Sequence, residues 1–577
     1  MTEQSKSDAT MELFEAKLTH ADDRIRLSAW IPQQWGVIPR IRFGKHWFNT
    51  LWLLPLGVLF LIVGAAVAQE IRQMPAAEAF MTRYPGYAAL PIDYRGFPLW
   101  LRCMHFFNLF LMFLIIRAGI QILADHPRLY WNVHCTPGTE WFRFQRPVPS
   151  GRIWTARDDG VTLPGWLGIP GLRHSIGLAR WWHFSCDLLW VLNGAAFYAM
   201  LFATGQWERV VPRTWAVFPN SLTVAIQYFS LQFPVNDSWV RYNSLQLLSY
   251  FVTIFIAAPL AIITGLMQGP AIANRLGWFG RILHRQAARS IHFLLMCYFV
   301  FFIVTHVTMI FLTGLRGNLN HMFAGVNDNG NAGLITFGVA MAIVAITWAA
   351  ATPITIRHAR LVQKTGRLLI GWLKGLCEWW DPNNQFAETD ISPHFWPNGT
   401  MPDSEKFNAL AADNFANYEL RIYGLVANPK VFSFAELKAM PKQEQITEHF
   451  CIQGWSGVAK WGGVPMRHIL DLVKPKAEAR YAVFYSLADG SEGGKYYDVH
   501  LIENMAHHLT ILAYEMNGEP VSVLHGAPLR LRCENELGFK QVKWIEAIEF
   551  VVDFASLGAG QGGYNEDHEF FGYRMPI

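Results

Sequence analysis

Charge is scarce in this 577-residue chain: Asp, Glu, Lys and Arg make up 16% of it, where an ordinary soluble domain carries roughly a quarter. Cysteine is scarce too. The seven cysteines include no CxxC pair, which excludes a disulfide framework and a zinc ribbon. Internal repeats and low-complexity tracts are lacking, so neither a solenoid nor a disordered chain is expected. The first 40 residues contain no apolar h-region and no twin arginine, so no cleaved export signal is expected. A net charge of +4 and a pI near 8.6 are too mild to argue for nucleic acid. What is abundant is apolar surface: 52% of residues are hydrophobic, 14% are aromatic, and mean hydropathy is +0.17. The composition is that of a membrane protein with a soluble part attached.

Six runs are long and apolar enough to cross a hydrocarbon core of about 30 Å: 47–69, 98–123, 181–204, 244–267, 291–313 and 333–351. Arginines crowd the segment before the first run, the connections between runs two and three and between four and five, and the stretch after the sixth. The alternate loops are poorer, so the positive-inside rule puts both termini in the cytoplasm. The second connection, Trp-rich and basic, is expected to lie along the interface. An amphipathic stretch at 368–380 reads as an interfacial helix. Beyond about residue 381 strand-like runs (418–426, 481–486) alternate with turns and short helices such as 466–472, the pattern of an α+β domain. The expected division is 1–45, a cytoplasmic N-terminal segment; 46–355, the membrane domain; 356–390, interfacial helix and linker; and 391–577, the soluble domain. The glycine-rich stretch 558–564 is left as either an ordered loop or a flexible end.

Ionisable groups inside spans are costly, which makes each a functional suspect. Four histidines qualify: His105, His183, His292 and His306. His292 and His306 are 14 residues apart on one run, about 21 Å and close to four full turns, so they share a face. Alternating span direction puts His183 level with His292 and His105 level with His306. Two imidazoles at each of two depths are axial ligands for two haems, saturated for electron transfer rather than oxygen chemistry. Gly119 and Gly194 fall where a missing side chain leaves room for a macrocycle. A hydrogen bond to a neighbouring helix is the plainer role for any one of these histidines. His46 is a weaker candidate, and His126, His134, His174 and His284 are expected to be solvated loop residues. The runs Arg102–His105–Asn108, Trp182–His183–Phe184 and Arg289–His292, with His306, resemble the bacterial cytochrome b561 and hydrogenase cytochrome b superfamily. That resemblance implies a four-helix di-haem unit carrying b haems and reacting with quinone.

In the soluble part a single cysteine, Cys451, sits in a Gly/Trp/Ser turn suited to giving a thiolate to a soft metal. His525, Arg530 and Lys543 offer donors and charge for a phosphate-bearing cofactor. Cys103, Cys186, Cys297 and Cys533 read as packing. The ordered blocks 449–456, 513–521 (AYEMNGEPV), 525–531 (HGAPLRL) and 542–545 (VKWI) closely resemble the sulfite oxidase superfamily of molybdopterin enzymes over 391–552. The resemblance implies molybdenum held by a pterin dithiolene and the Cys451 thiolate. It further implies pterin or phosphate contacts from Asn398, Ser486, His525, Arg530, Gln541 and Lys543. A tyrosine near the metal is also implied; Tyr497 is taken for it, with Tyr496 the neighbouring alternative.

Typical sulfite oxidases have arginines after the ligand cysteine and before the early asparagine. Here those places read Ile452-Gln453-Gly454-Trp455 and Trp396-Pro397. A neutral or organic substrate, as in the methionine sulfoxide reductase branch, is favoured over sulfite. The expected molecule is multi-domain, a six-span transmembrane α-helical bundle followed by an α+β sulfite-oxidase-type domain. It is a membrane-bound molybdopterin oxidoreductase that exchanges electrons with quinone through two b haems and acts on a small sulfur-containing or related substrate by oxygen-atom transfer. A bacterial inner-membrane location, a cytoplasmic molybdenum domain and an optional homodimer complete the expectation. The competing reading is a haem electron-transfer or sensor module with a non-catalytic pterin-fold domain.

Overall fold

The computed structural model describes residues 38–87, 97–144, 146–171, 175–233, 242–378 and 386–577. Most of the expected N-terminal segment (1–37), Arg173, His174 and part of the expected linker (379–385) lie outside the described residues.

Among the described residues six helices are long and apolar enough to cross a membrane. They are α1 (Leu53–Gln73), α2 (Leu99–Asp125), α3 (Ile176–Ala203), α4 (Ser244–Met267), α5 (Arg285–Leu312) and α6 (Ala332–Arg357). Each lies where an apolar run was expected. Helix α2 packs along α3, and α5 packs against the second half of α4. Helix α4 contains a π-helical stretch, Val252–Ala257. Pro259 has no N–H to donate back into this turn, and the Ile254 carbonyl is met instead by the Tyr198 hydroxyl of α3.

Two expectations are corrected here. The first span begins at Thr50 rather than 47, because the preceding residues pair as a hairpin, β1 (Arg40–Phe43) with β2 (His46–Asn49). Trp47 belongs to that hairpin and stacks under the Arg143 guanidinium at 3.8 Å. The second connection, whose His126 is expected to be a solvated loop residue, is not an open loop. It folds into β3 (Arg128–Leu129) and β4 (Phe142–Arg143), which extend the hairpin into a four-stranded sheet. Its Arg128 is wholly buried between Asp159 (2.7 Å) and Glu140 (2.9 Å). His126 is also fully buried, stacked on Tyr130 and edge-on to Trp396; burial and the nearby Arg289, Arg128 and Arg285 keep its imidazole neutral.

The soluble half carries two sheets. Strands β5 (Glu419–Gly424), β6 (Lys430–Ser433), β9 (Tyr481–Asp489), β10 (Lys495–Leu501) and β14 (Ile545–Val551) form one, in the order β10-β9-β14-β5-β6. The other runs β12 (Glu519–Pro520), β11 (Ile511–Met516), β8 (Ser456–Pro465), β7 (Gln443–Phe450), with β13 (Arg530–Arg532) on β11. Leu420, Ile422, Val464, Phe484, Leu512 and Ile548 meet in the main core. This is the expected α+β domain.

The halves are joined by two pieces of chain. Helix α7 (Ala359–Glu378) packs against α3, its exposed Leu361, Leu368 and Trp372 giving the apolar face expected of an interfacial helix. The C-terminal segment 556–577 is an ordered strap. Trp181 donates to the Phe570 carbonyl (2.8 Å), Gln363 to that of Phe571 (2.7 Å) and Arg360 to that of Asp567 (2.9 Å). The strap is anchored in turn by the buried Lys540, which bridges Glu566 (2.7 Å) and Asp498. Gly177 at the start of α3 makes this approach feasible: a Cβ there would stand 2.2 Å from the Glu569 carbonyl oxygen and 2.6 Å from the Phe571 ring. Gly177→Ala is therefore expected to cost about 1–3 kcal/mol and to expose the strap to limited proteolysis. Gly57→Ala, whose Cβ meets nothing within 4 Å, serves as control and should leave both melting and cleavage unchanged.

Candidate functional site

In the membrane half the four histidines meet in two pairs. The rings of His105 (α2) and His306 (α5) are 6.4 Å apart between centroids, those of His183 (α3) and His292 (α5) 6.3 Å. A metal–imidazole bond of about 2 Å, plus about 1.2 Å from ring nitrogen to ring centre, separates two axial imidazoles by about 6.4 Å. The spacing suits one iron per pair. Three rings are oriented through Nδ1: His183 to the Ile115 carbonyl (3.0 Å), His292 to the Thr264 hydroxyl (3.1 Å) and His306 to the Tyr250 hydroxyl (3.5 Å). This leaves Nε2 as the ligand atom. The His183 Nε2 faces the Asp187 carboxylate at 3.5 Å, the contact a metal would replace. Gly119 lies against His183 and Gly265 against His292, while a Cβ at Gly194 would meet open space. Among the described residues no three His, Cys, Asp or Glu side chains converge on one point. Each pair offers two ring nitrogens, a donor set that fits a metal whose other ligands belong to the bound group, as in a porphyrin.

In the soluble half the expected residues line one cavity of about 200 Å³: Asn398, Cys451, Ser486, His525, Arg530, Gln541 and Lys543. Cys451 follows β7 directly and opens a tight turn, in which its N–H donates to the Trp455 carbonyl (3.0 Å) and its carbonyl accepts from Gly454 (3.1 Å). Asn398 Nδ2 stands 3.8 Å from its sulfur. Burial pushes the Cys451 thiol up to about 12, with Gln453 and Arg285 pulling the other way, so a thiolate here requires a cation at the sulfur.

The opposite wall is cationic. Arg530 donates to the His525 carbonyl (2.7 Å) and Lys543 to those of Leu524 (2.9 Å) and Asn398. Gly526, at φ +117°, makes the convergence feasible, because a Cβ there would stand 3.1 Å from both side chains. Among the described residues neither cation is paired with a carboxylate. Burial pushes both well below their usual range, and Arg530 adds to the effect on Lys543. His525 is lowered to about 4 by burial and by these two cations, so it is neutral at physiological pH; its Nε2 meets the Phe395 carbonyl at 3.1 Å. The Arg530 Nε and Gln541 Oε1 are buried without partners. Unsatisfied polar atoms and acid-free cations around a cavity fit an anionic, hydrogen-bond-rich group such as a phosphate-bearing pterin.

One expected residue is elsewhere. Tyr497 is buried in the small core behind the sheet, its hydroxyl bonded to Asp567 and to the Leu557 carbonyl (3.1 Å), and it does not reach the cavity. Its neighbour Tyr496 does. Successive strand residues face opposite ways, and the register of β10 on β9 shifts between Lys495 and Tyr497, so spacing alone assigns the wrong member. His449, held by Arg532 (2.9 Å), and the ring surface of Phe395 and Trp455 complete the wall; two lining residues from the membrane half, Arg157 and Ile176, carried no signal in the sequence.

Comparison with known proteins agrees with this division. A family model for prokaryotic cytochrome b561 matches residues 96–325, and one for the oxidoreductase molybdopterin binding domain matches 408–556. The putative protein-methionine-sulfoxide reductase subunit YedZ1 of Azospira oryzae is 31% identical over 206 residues, 35% of this chain and 69% of that protein. The protein-methionine-sulfoxide reductase catalytic subunit MsrP of Xanthomonas campestris is 34% identical over 144 residues, 23% of this chain and 45% of that protein. The uncharacterized oxidoreductase YuiH of Bacillus subtilis is 32% identical over 142 residues, 24% of this chain and 69% of that protein. The chain thus spans about two thirds of YedZ1 and YuiH and less than half of MsrP. It belongs to the prokaryotic cytochrome b561 family through its multi-pass membrane half and, through its C-terminal half, to the molybdopterin-binding oxidoreductases of the sulfite oxidase superfamily.

Proposed function

We propose that the protein reduces a neutral sulfoxide, of the methionine sulfoxide class, with electrons drawn from membrane quinol through two b haems. The observation that carries this reading is the seating of the Cys451 turn on the first turn of α5, the helix that also bears His292 and His306. When bound, the molybdenum centre supplies two-electron oxygen-atom transfer and each haem passes one electron at a time. The overall balance is sulfoxide plus two electrons and two protons to sulfide and water, with quinol giving up two electrons and two protons as it becomes quinone.

The chain's own residues have defined parts in this scheme. His105 with His306, and His183 with His292, would each hold one haem through both imidazoles of the pair, which suits electron transfer rather than oxygen chemistry. Cys451 would give its thiolate to molybdenum. Arg530 and Lys543 balance the cofactor phosphate, with Asn398, Ser486, His525 and Gln541 supplying hydrogen bonds to the pterin. Phe395, Trp396 and Trp455 line the cavity with ring surface, exclude water and disfavour a small dianion such as sulfite. The printed names of the YedZ1 and MsrP relatives support the sulfoxide. The basic loops on the side of the molybdenum domain support a cytoplasmic face of an inner membrane.

In purified protein, quinol should reduce the haem bands and methionine sulfoxide should then reoxidise them. Cys451→Ser should abolish reoxidation while leaving haem spectra and quinol reduction intact; turnover in that variant refutes the metal assignment. His306→Ala should lower haem content from two per chain to one with molybdenum retained. An unchanged haem ratio on pyridine haemochrome assay rules out the pairing.

A further inference from the structure

The first turn of α5 holds the metal-ligand loop by its backbone. Arg285 Nη2 donates to the Cys451 carbonyl (2.9 Å) and Nη1 to that of Trp455 (3.3 Å); Gln286 Nε2 donates to that of Gly454 (3.0 Å). Three carbonyls of one tight turn are thus taken by two adjacent side chains. Arg289 closes the grip: Gly454 lies so near it that a Cβ there would stand 2.9 Å from the guanidinium carbon. Arg289 in turn donates to the His126 carbonyl (3.1 Å) and to Gln286 (3.2 Å). All three side chains are buried, and Tyr130, Cys135, Ala156 and Ile176 of the membrane half pack with Phe450, Ile452 and Trp455 into one apolar cluster beside them.

Two features say that this is more than packing. Among the described residues no carboxylate stands within ion-pair distance of Arg285, although Glu448 attracts it from farther off; its Nη groups meet only peptide carbonyls and its Nε is buried without a partner, a desolvation cost that a neutral side chain would avoid. Its position is also specific. Arg285, Arg289 and His292 stand at i, i+4 and i+7, one stripe of one helix, and seven residues span about 10.5 Å. The same stripe reaches His306, two heptads beyond His292.

We propose that Arg285 is the positioning residue for electron exchange between the two halves: it clamps the Cys451 loop to the helix of His292 and provides the hydrogen-bonded route between them. The inference rests on the function proposed above. One electron crosses this joint at a time and two cross for each sulfoxide converted to sulfide and water, the two protons entering from solvent at the cavity.

The test uses the full-length protein in lipid nanodiscs, with Arg285→Gln and Arg285→Lys. Haem and molybdenum contents are measured first. Stopped-flow mixing of quinol-reduced protein with methionine sulfoxide then gives the rate of haem reoxidation, and reduced methyl viologen, which can deliver electrons at the cavity directly, gives a dye-linked rate. With R285Q the haem reoxidation rate should fall at least tenfold while the dye-linked rate changes less than threefold, and R285K should recover much of the loss. Equal falls in both rates make Arg285 a merely structural residue and overturn the proposal; so does an unchanged haem rate. If R285Q loses molybdenum, Gln286→Ala removes the donor to the Gly454 carbonyl, together with the Gln286 contacts to Ser456 and Arg289, and leaves Arg285 in place. It should show the same split at several-fold, and no split there is equally fatal. Wild-type haems that never respond to the sulfoxide sink the functional reading itself, an outcome seen before any variant is compared.

Discussion

The two halves depend on one kind of contact: side-chain N–H groups of the membrane helices donating to backbone carbonyls of the soluble domain. Arg285 and Gln286 grip the Cys451 turn, Trp181 and Gln363 hold the strap, and Arg360 reaches the carbonyls of Glu566 and Asp567. Trp396 returns the gesture by donating to the Cys135 carbonyl (2.7 Å). Carbonyls at a turn or a strap have fixed positions, so donors that meet them specify register as well as contact. An apolar joint of similar area would tolerate sliding. This one does not, because a slip of one residue leaves several buried donors and acceptors unpaired, each at about 1–3 kcal/mol.

The same accounting governs the membrane interior. A neutral imidazole in hydrocarbon needs a partner for each nitrogen. The Nδ1 atoms of His183, His292 and His306 find theirs within the bundle, on a carbonyl and two hydroxyls. Each ring stands 6.3 or 6.4 Å between centroids from its partner histidine, too far for a direct hydrogen bond and a spacing that fits an intervening metal. Small residues beside the rings, Gly119 and Gly265, let the helices approach at that depth.

The features legible in the sequence are those written in local periodicity. Apolar length marked the six spans, helix direction sorted His105, His183, His292 and His306 by depth, and contiguous blocks marked the cavity residues from Asn398 to Lys543. What escaped was set by tertiary placement. Arg128 and Arg143 were counted as loop charges, yet they are buried in the sheet β1–β4 or stacked on Trp47, and Arg285 and Arg289 serve the joint. His126 in the same loop is interior for the same reason. Tyr497 was preferred to Tyr496 because a register shift is invisible to residue spacing.

A joint made this way is poor at gathering two free molecules. Buried guanidinium groups without acids contribute little net affinity, and interfaces within a chain are generally polar enough to open and close. Covalent connection changes the problem, because a tethered partner meets its site at an effective concentration in the millimolar range without further contacts. The YedZ1 and MsrP relatives are named as separate subunits, whereas here both parts are one polypeptide. Relieved of holding the halves together, the residues of the joint are free to be chosen for alignment. That accounts for a helix end which presents polar donors to the Cys451 loop, where an interface selected for affinity would have placed apolar surface.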